Sequence, residues 1–70
     1  MSDINIRVGN NIRKYRLKLG WSQEELALQS GLHRAYIGQI ERGEKNIGLQ
    51  NLEKISVHLS IPVTKLITTK

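Results

Sequence analysis

Residues 21–43 read WSQEELALQSGLHRAYIGQIERG. Ser22 stands just ahead of an apolar pattern and Glu25 follows it by three, the spacing of a capping box. Trp21 before the cap and Leu26 at the fourth helical position have the spacing of a hydrophobic staple. Leu26 and Ala27 face a core, and Gly31 stops the helix. A second helix follows from about His33 to Arg42 and ends at Gly43. Ile37 and Ile40 point inward from it, while Arg34, Ala35, Gly38 and Gln39 form a small, polar opposite face. Two short helices joined by a tight glycine turn, with a core at about 22–42, can lay one helix in a DNA groove while the other braces it against the backbone.

The rest of the chain reads as helices around this pair. Val8, Ile12, Tyr15 and Leu19 recur at spacings of four, three and four, which predicts a first helix over about 6–19, closed by Gly20. Leu49, Leu52, Ile55 and Leu59 are the apolar stripe of a fourth helix over 49–59, with Gln50, Lys54 and His58 on its wet side. Pro62 opens a last short helix carrying Val63, Leu66 and Ile67. The expected fold is all-α, one domain over residues 1–70, with five helices and short loops.

Charge agrees with the geometry. The 70 residues carry a formal net charge of +5, and the pI is about 10.0. Arg7, Arg13, Lys14, Arg16 and Lys18 crowd the N-terminal segment, and Arg34, Arg42 and Lys45 form a second basic group. Such patches are the electrostatic footprint of nucleic-acid binding; a merely solubilising surface is the bland alternative. Glu24 and Glu25 sit at a helix start, where the macrodipole favours acids.

Composition excludes several classes. No cysteine is present, so there is neither a disulfide nor a thiolate metal site, and the two histidines cannot supply the four ligands of structural zinc. No metal or cofactor is expected. An enzyme lacks its parts: the sole aspartate is Asp3, and Ser22 and Ser30 have no histidine–carboxylate partner suggested by spacing. Gly43 and Gly48 match no phosphate-loop motif. No apolar run approaches the ~18 residues of a membrane span. The expected setting is the cytoplasm, with no membrane partner and no evident small-molecule ligand.

The segment SQEELALQSGLHRAYIGQIERGEKNIGLQNLEKISVHL closely resembles the helix-turn-helix domain of the XRE, or phage Cro/repressor-like, transcription regulators. The similarity extends from about Ile6 to Ile67. The Ser-Gln-Glu-Glu-Leu-Ala opening, the Ser-Gly turn and the Ile-Glu-Arg-Gly end occur together at the family spacing. Arg34 to Asn46 also resembles the controller proteins of restriction–modification systems. The resemblance implies a compact lambda-repressor-like fold and sequence-specific regulation of transcription on double-stranded DNA. Arg34, Ala35, Gly38 and Gln39 would face base edges. Gln23 would hold a phosphate with its side chain and a free helix-end amide. Lys45 and Asn46 would contact the backbone, with His33, Tyr36 and Arg42 as further phosphate candidates. Arg16 and Glu41 match a family pair that ties the first helix to the third.

Departures from the family pattern qualify this. His33 stands where a serine or threonine cap is common, and Pro62 where a capping serine is common. Gly38 replaces a side chain that often reads a base. Tyr36 could pack or give its hydroxyl to a phosphate, and Gln39 could pair with adenine or orient Gln23. The expected unit is a homodimer on a palindromic operator, paired through Val63, Leu66 and Ile67. An antitoxin of a toxin–antitoxin operon is the first rival, although only about three residues follow Ile67. The second is a protein-interaction module that retains the fold.

Overall fold

The structure is a computed structural model and describes residues 3–68. Five helices follow in order: α1 (Asp3–Lys18), α2 (Gln23–Ser30), α3 (Arg34–Glu41), α4 (Leu49–His58) and α5 (Thr64–Ile67). α1 packs against α3 and α5, and α2 against α3 and α4. Ile12, Leu26, Ile37, Ile40, Ile55 and Leu66 fill the centre, with Val8, Ala27, Leu52 and Leu59 around them.

Ser22 caps α2 and Gly31 closes it, as expected, while the Glu25 carboxylate bonds Gln29 instead of completing the capping box. Ser22 Oγ accepts the Glu25 backbone N–H at 3.0 Å, and Gly31 adopts the left-handed conformation with φ 73°. The Glu25 carboxylate accepts from the Gln29 side chain at 2.7 Å. Trp21 packs half-buried against the core. In α3 the boundary moves by one residue at each end. His33 is the N-cap without a side-chain cap bond, and Arg42 is the C-cap.

Three apolar assignments change in the folded chain. Leu19 is 45% exposed, because α1 ends at Lys18. There Gly20 N donates to Leu17 O at 3.0 Å and Trp21 N to Arg16 O at 3.2 Å. This reversal ends the helical 100° progression, so Leu19 leaves the stripe and Trp21 supplies the contact. Leu49 is 84% exposed: the chain enters α4 with Ile47 turned onto the core. Leu66, expected on a pairing surface, has no exposure at all. Pro62 lies in the turn before α5 rather than inside it, and that turn aims Leu66 inward.

Two α1 features have no counterpart in the periodicity. Gly9 sits where a Cβ would lie 2.3 Å from Ile40 O and 2.7 Å from Glu41 O, so α1 crosses the end of α3 at backbone contact. Asn11 Nδ2 donates to Leu66 O at 2.9 Å and also to Thr68 O. Arg7 Nε donates to Ile67 O at 2.7 Å. These side chains satisfy the last carbonyls of α5, which a four-residue helix leaves without internal partners.

Candidate nucleic-acid interface

The candidate interface comprises the exposed side of α3 and the start of α2. Arg34 and Ala35 are exposed in the first turn of α3 and Gln39 is half-buried. Gly38 is buried, with the Arg42 guanidinium and the Gln23 side chain lying over it. Gln23 is the first residue of α2. Its Nε2 donates to Glu41 Oε1 at 3.1 Å, so Glu41 rather than Gln39 orients it. The second amide hydrogen of Gln23 can be donated to another acceptor.

Beneath this surface lies the ion pair. Arg16 Nε and Nη2 donate to Glu41 Oε2 and Oε1 at 2.7 and 2.9 Å. Arg16 Nη1 donates to Trp21 O at 2.7 Å. One guanidinium therefore joins α1, the α2 approach and α3, and through Glu41 it reaches Gln23. The pair is buried, and every guanidinium nitrogen and carboxylate oxygen in it has a hydrogen-bond partner, which the desolvation of two charges requires.

Other candidate residues lie around this centre. His33 and Lys45 are exposed. Tyr36 is half-buried, and its hydroxyl accepts from Asn51 Nδ2 at 3.0 Å, leaving the phenol proton to be donated elsewhere. Asn46 Oδ1 accepts from Asn5 Nδ2 at 2.6 Å, which fastens the loop after α3 to α1. Arg42 is exposed and pairs with Glu44 at 2.7 Å. The hydrogen bond to Glu44 raises the Arg42 pKa above the ordinary guanidinium value. The same bond lowers the Glu44 pKa below the usual carboxylate value. Glu44 and Asn51 escaped the sequence reading. Only the Arg-x-Glu spacing hinted at Glu44, and nothing local marks a contact between residues 36 and 51.

The N-terminal basic group divides. Arg16 is internal and Arg7 serves the end of α5, while Arg13, Lys14 and Lys18 are exposed. The Lys14 and Lys18 ammonium groups lie 5.4 and 5.0 Å from the centre of the Tyr15 ring, within cation–π range. Among the described residues no group of three or more His, Asp or Glu side chains could hold a metal ion. No helix among them is long and apolar enough to cross a membrane.

A scaffold that exposes the start of α3 beside the start of α2 defines a helix-turn-helix module. Residues 12–66 match the family model HTH_3, described as helix-turn-helix, and the chain belongs to that family. A hypothetical transcription factor from Neisseria meningitidis is 42% identical over 65 residues, covering 93% of this chain and 61% of that protein. This chain thus spans less than two thirds of that relative. The crystal structure of the Neisseria factor superposes with a TM-score of 0.91, at 41% identity over 94% of this chain and 76% of that one. The restriction-modification controller protein C.AhdI from Aeromonas hydrophila gives 0.86 at 40% identity, over 89% and 94% of the two chains. SinR, a master regulator for biofilm formation, gives 0.84 at 37% identity, over 87% and 98%, in a crystal structure with DNA. The family consists of DNA-binding transcription regulators, which are not enzymes.

Proposed function

We propose that this protein controls a restriction–modification operon as a cytoplasmic homodimer on a palindromic operator. Each α3 enters the major groove of one half-site, with half-site centres ~34–36 Å apart. Arg34, Ala35 and Gln39 face base edges; Gln23, Tyr36, Lys45 and Asn46 hold phosphates. The observation that carries this reading is the exposed Arg34–Ala35 turn at the start of α3, beside Gln23 at the start of α2. Likeness to C.AhdI over most of both chains supports the controller role.

The pairing surface of this proposal omits Leu66, which is internal. Val63 and Ile67 keep partial exposure, and Leu49 and Val57 on α4 are 84% and 63% exposed. Selection of duplexes from a random-sequence library, followed by sedimentation of the bound complex, tests the proposal. A two-fold symmetric site bound by two chains is expected. An asymmetric site bound by one chain would overturn the dimeric reading.

A further inference from the structure

Arg34, Gly38 and Arg42 follow one another along α3 and its cap at intervals of four, and so share one face. The middle position has no side chain. A Cβ there would lie 3.2 Å from Arg42 Nη1 and 3.6 Å from Gln23 Oε1. The Arg42 guanidinium therefore folds back over Gly38, beside the first residue of α2. The space that a side chain at 38 would use is filled by a cation from one turn later.

The other edge of that guanidinium is occupied. Arg42 Nε donates to Glu44 Oε2 at 2.7 Å and Nη2 to Glu44 Oε1 at 3.1 Å. This two-point arrangement is the one a guanidinium offers to a phosphate, or to O6 and N7 of guanine. The two side chains are 58% and 46% exposed. A carboxylate so open to water holds its partner weakly and can be exchanged for another acceptor.

We propose that Arg42 is a further DNA-contacting group at this end of α3, beside Lys45 and Asn46, and that Glu44 occupies its fork in the free protein as an internal stand-in for the DNA acceptor. The inference rests on the DNA-binding reading above. It makes Glu44 a positioning residue and a competitor: binding DNA exchanges a carboxylate for a phosphate or a guanine edge. Gly38 is then required as the floor on which the Arg42 guanidinium lies.

The test is a double-mutant cycle on DNA affinity. The probes are the duplex that the wild type selects from a random-sequence library and the same duplex with its site scrambled. Arg42→Ala is expected to weaken binding to the selected duplex roughly ten-fold or more, the scale of one bidentate arginine contact. Arg42→Lys keeps the charge but loses the fork, and should restore only part of that loss. Glu44→Gln should tighten binding roughly two- to five-fold, the scale of an exposed ion pair released. In the Arg42→Ala background the Glu44→Gln gain should vanish.

The scrambled duplex separates the two acceptors. A phosphate partner predicts equal loss on both duplexes and a salt slope lower by about 0.9. A guanine partner predicts a loss confined to the selected duplex. Thermal melts of all variants should match the wild type, since both side chains are exposed. A Glu44→Gln gain that persists without Arg42 would show Glu44 to be a simple repulsive charge and overturn the inference. Wild-type affinity in Arg42→Ala would overturn it alone, whereas a wild type that enriches no duplex would overturn the DNA-binding reading and this inference together.

Discussion

The Arg16 guanidinium grips both carboxylate oxygens of Glu41, at 2.7 and 2.9 Å, across the α1–α3 contact. The residues are 25 positions apart and each is only 6% exposed. Because Glu41 also accepts from Gln23, the same pair that clamps the fold also orients the first residue of α2. Helix packing and the placement of Gln23, a proposed phosphate contact, are coupled through one carboxylate.

Glu41→Ala would leave the Arg16 charge buried with only the Trp21 carbonyl as partner. Breaking a buried pair from one side costs about 3–5 kcal/mol, and a core of this size supplies about as much in total. The variant is expected to be unfolded or nearly so in a thermal melt followed by circular dichroism. Arg42→Ala, one residue on and exposed, should melt with the wild type. An unchanged melting temperature for Glu41→Ala would mean that the pair contributes little.

Gly9→Ala tests the α1–α3 approach. The added methyl would meet two backbone carbonyl oxygens, which cannot rotate away. Overpacking costs about 1–3 kcal/mol, against a helix-propensity gain of about 1 kcal/mol for replacing glycine. A net loss is expected, each kcal/mol lowering the melting temperature by roughly 4–8 °C. A stabilised Gly9→Ala protein would show that the helices can separate without penalty.

Ser60 has φ 60°, the sole non-glycine residue in the left-handed region among those described. It follows the α4 C-cap, with Ile61 N donating to Ser56 O at 3.0 Å in the return bond that closes the helix. A Cβ in this conformation costs about 1–2 kcal/mol, while glycine costs about 0.5–1 kcal/mol in backbone entropy. Ser60→Gly should therefore gain up to about 1 kcal/mol, read as a raised denaturant midpoint with unchanged slope.

The proposed pairing surface excludes Leu66, which the sequence pattern groups with Val63 and Ile67. Leu66→Glu would bury a carboxylate in the core and is expected to abolish the folded circular-dichroism spectrum rather than release monomers. Val57→Glu and Ile67→Glu, on exposed positions, should keep the fold and weaken pairing in sedimentation equilibrium. Folded dimers in both exposed variants would place the pairing surface elsewhere.

Arg34→Ala and Lys45→Ala should fail differently on DNA. Loss of a base contact costs about 1–3 kcal/mol at one base position. Loss of a phosphate contact weakens all sequences alike and flattens the salt slope by about one unit. Site selection with both variants, at several salt concentrations, reads the difference. Wild-type base preferences in Arg34→Ala would refute the orientation proposed for α3.

Much of the interface was legible because its signals are short. Ser22 needs only the Glu25 amide to start α2, and Gly31 needs only its own φ to end it. The Arg34–Ala35 surface follows from the same phase that turns Ile37 and Ile40 inward. Only the family pattern links Arg16 to Glu41 in the sequence, since no local rule pairs residues on separate helices.

By itself, the sequence determined the elements: which segments are helical, where α2 begins and ends, and that a basic helix-turn-helix face would be presented. Those properties depend on groups within about four residues of one another, where backbone geometry leaves few choices. The tertiary structure decided which members of each apolar stripe meet another helix. It sent Leu66 into the core and left Leu49 in water. It also committed Arg7 and Asn11 to the carbonyls of α5, and laid the Arg42 guanidinium over Gly38. Periodicity gives a side chain its direction around its own axis; what stands in that direction depends on how the other helices cross, and only the packed chain contains that.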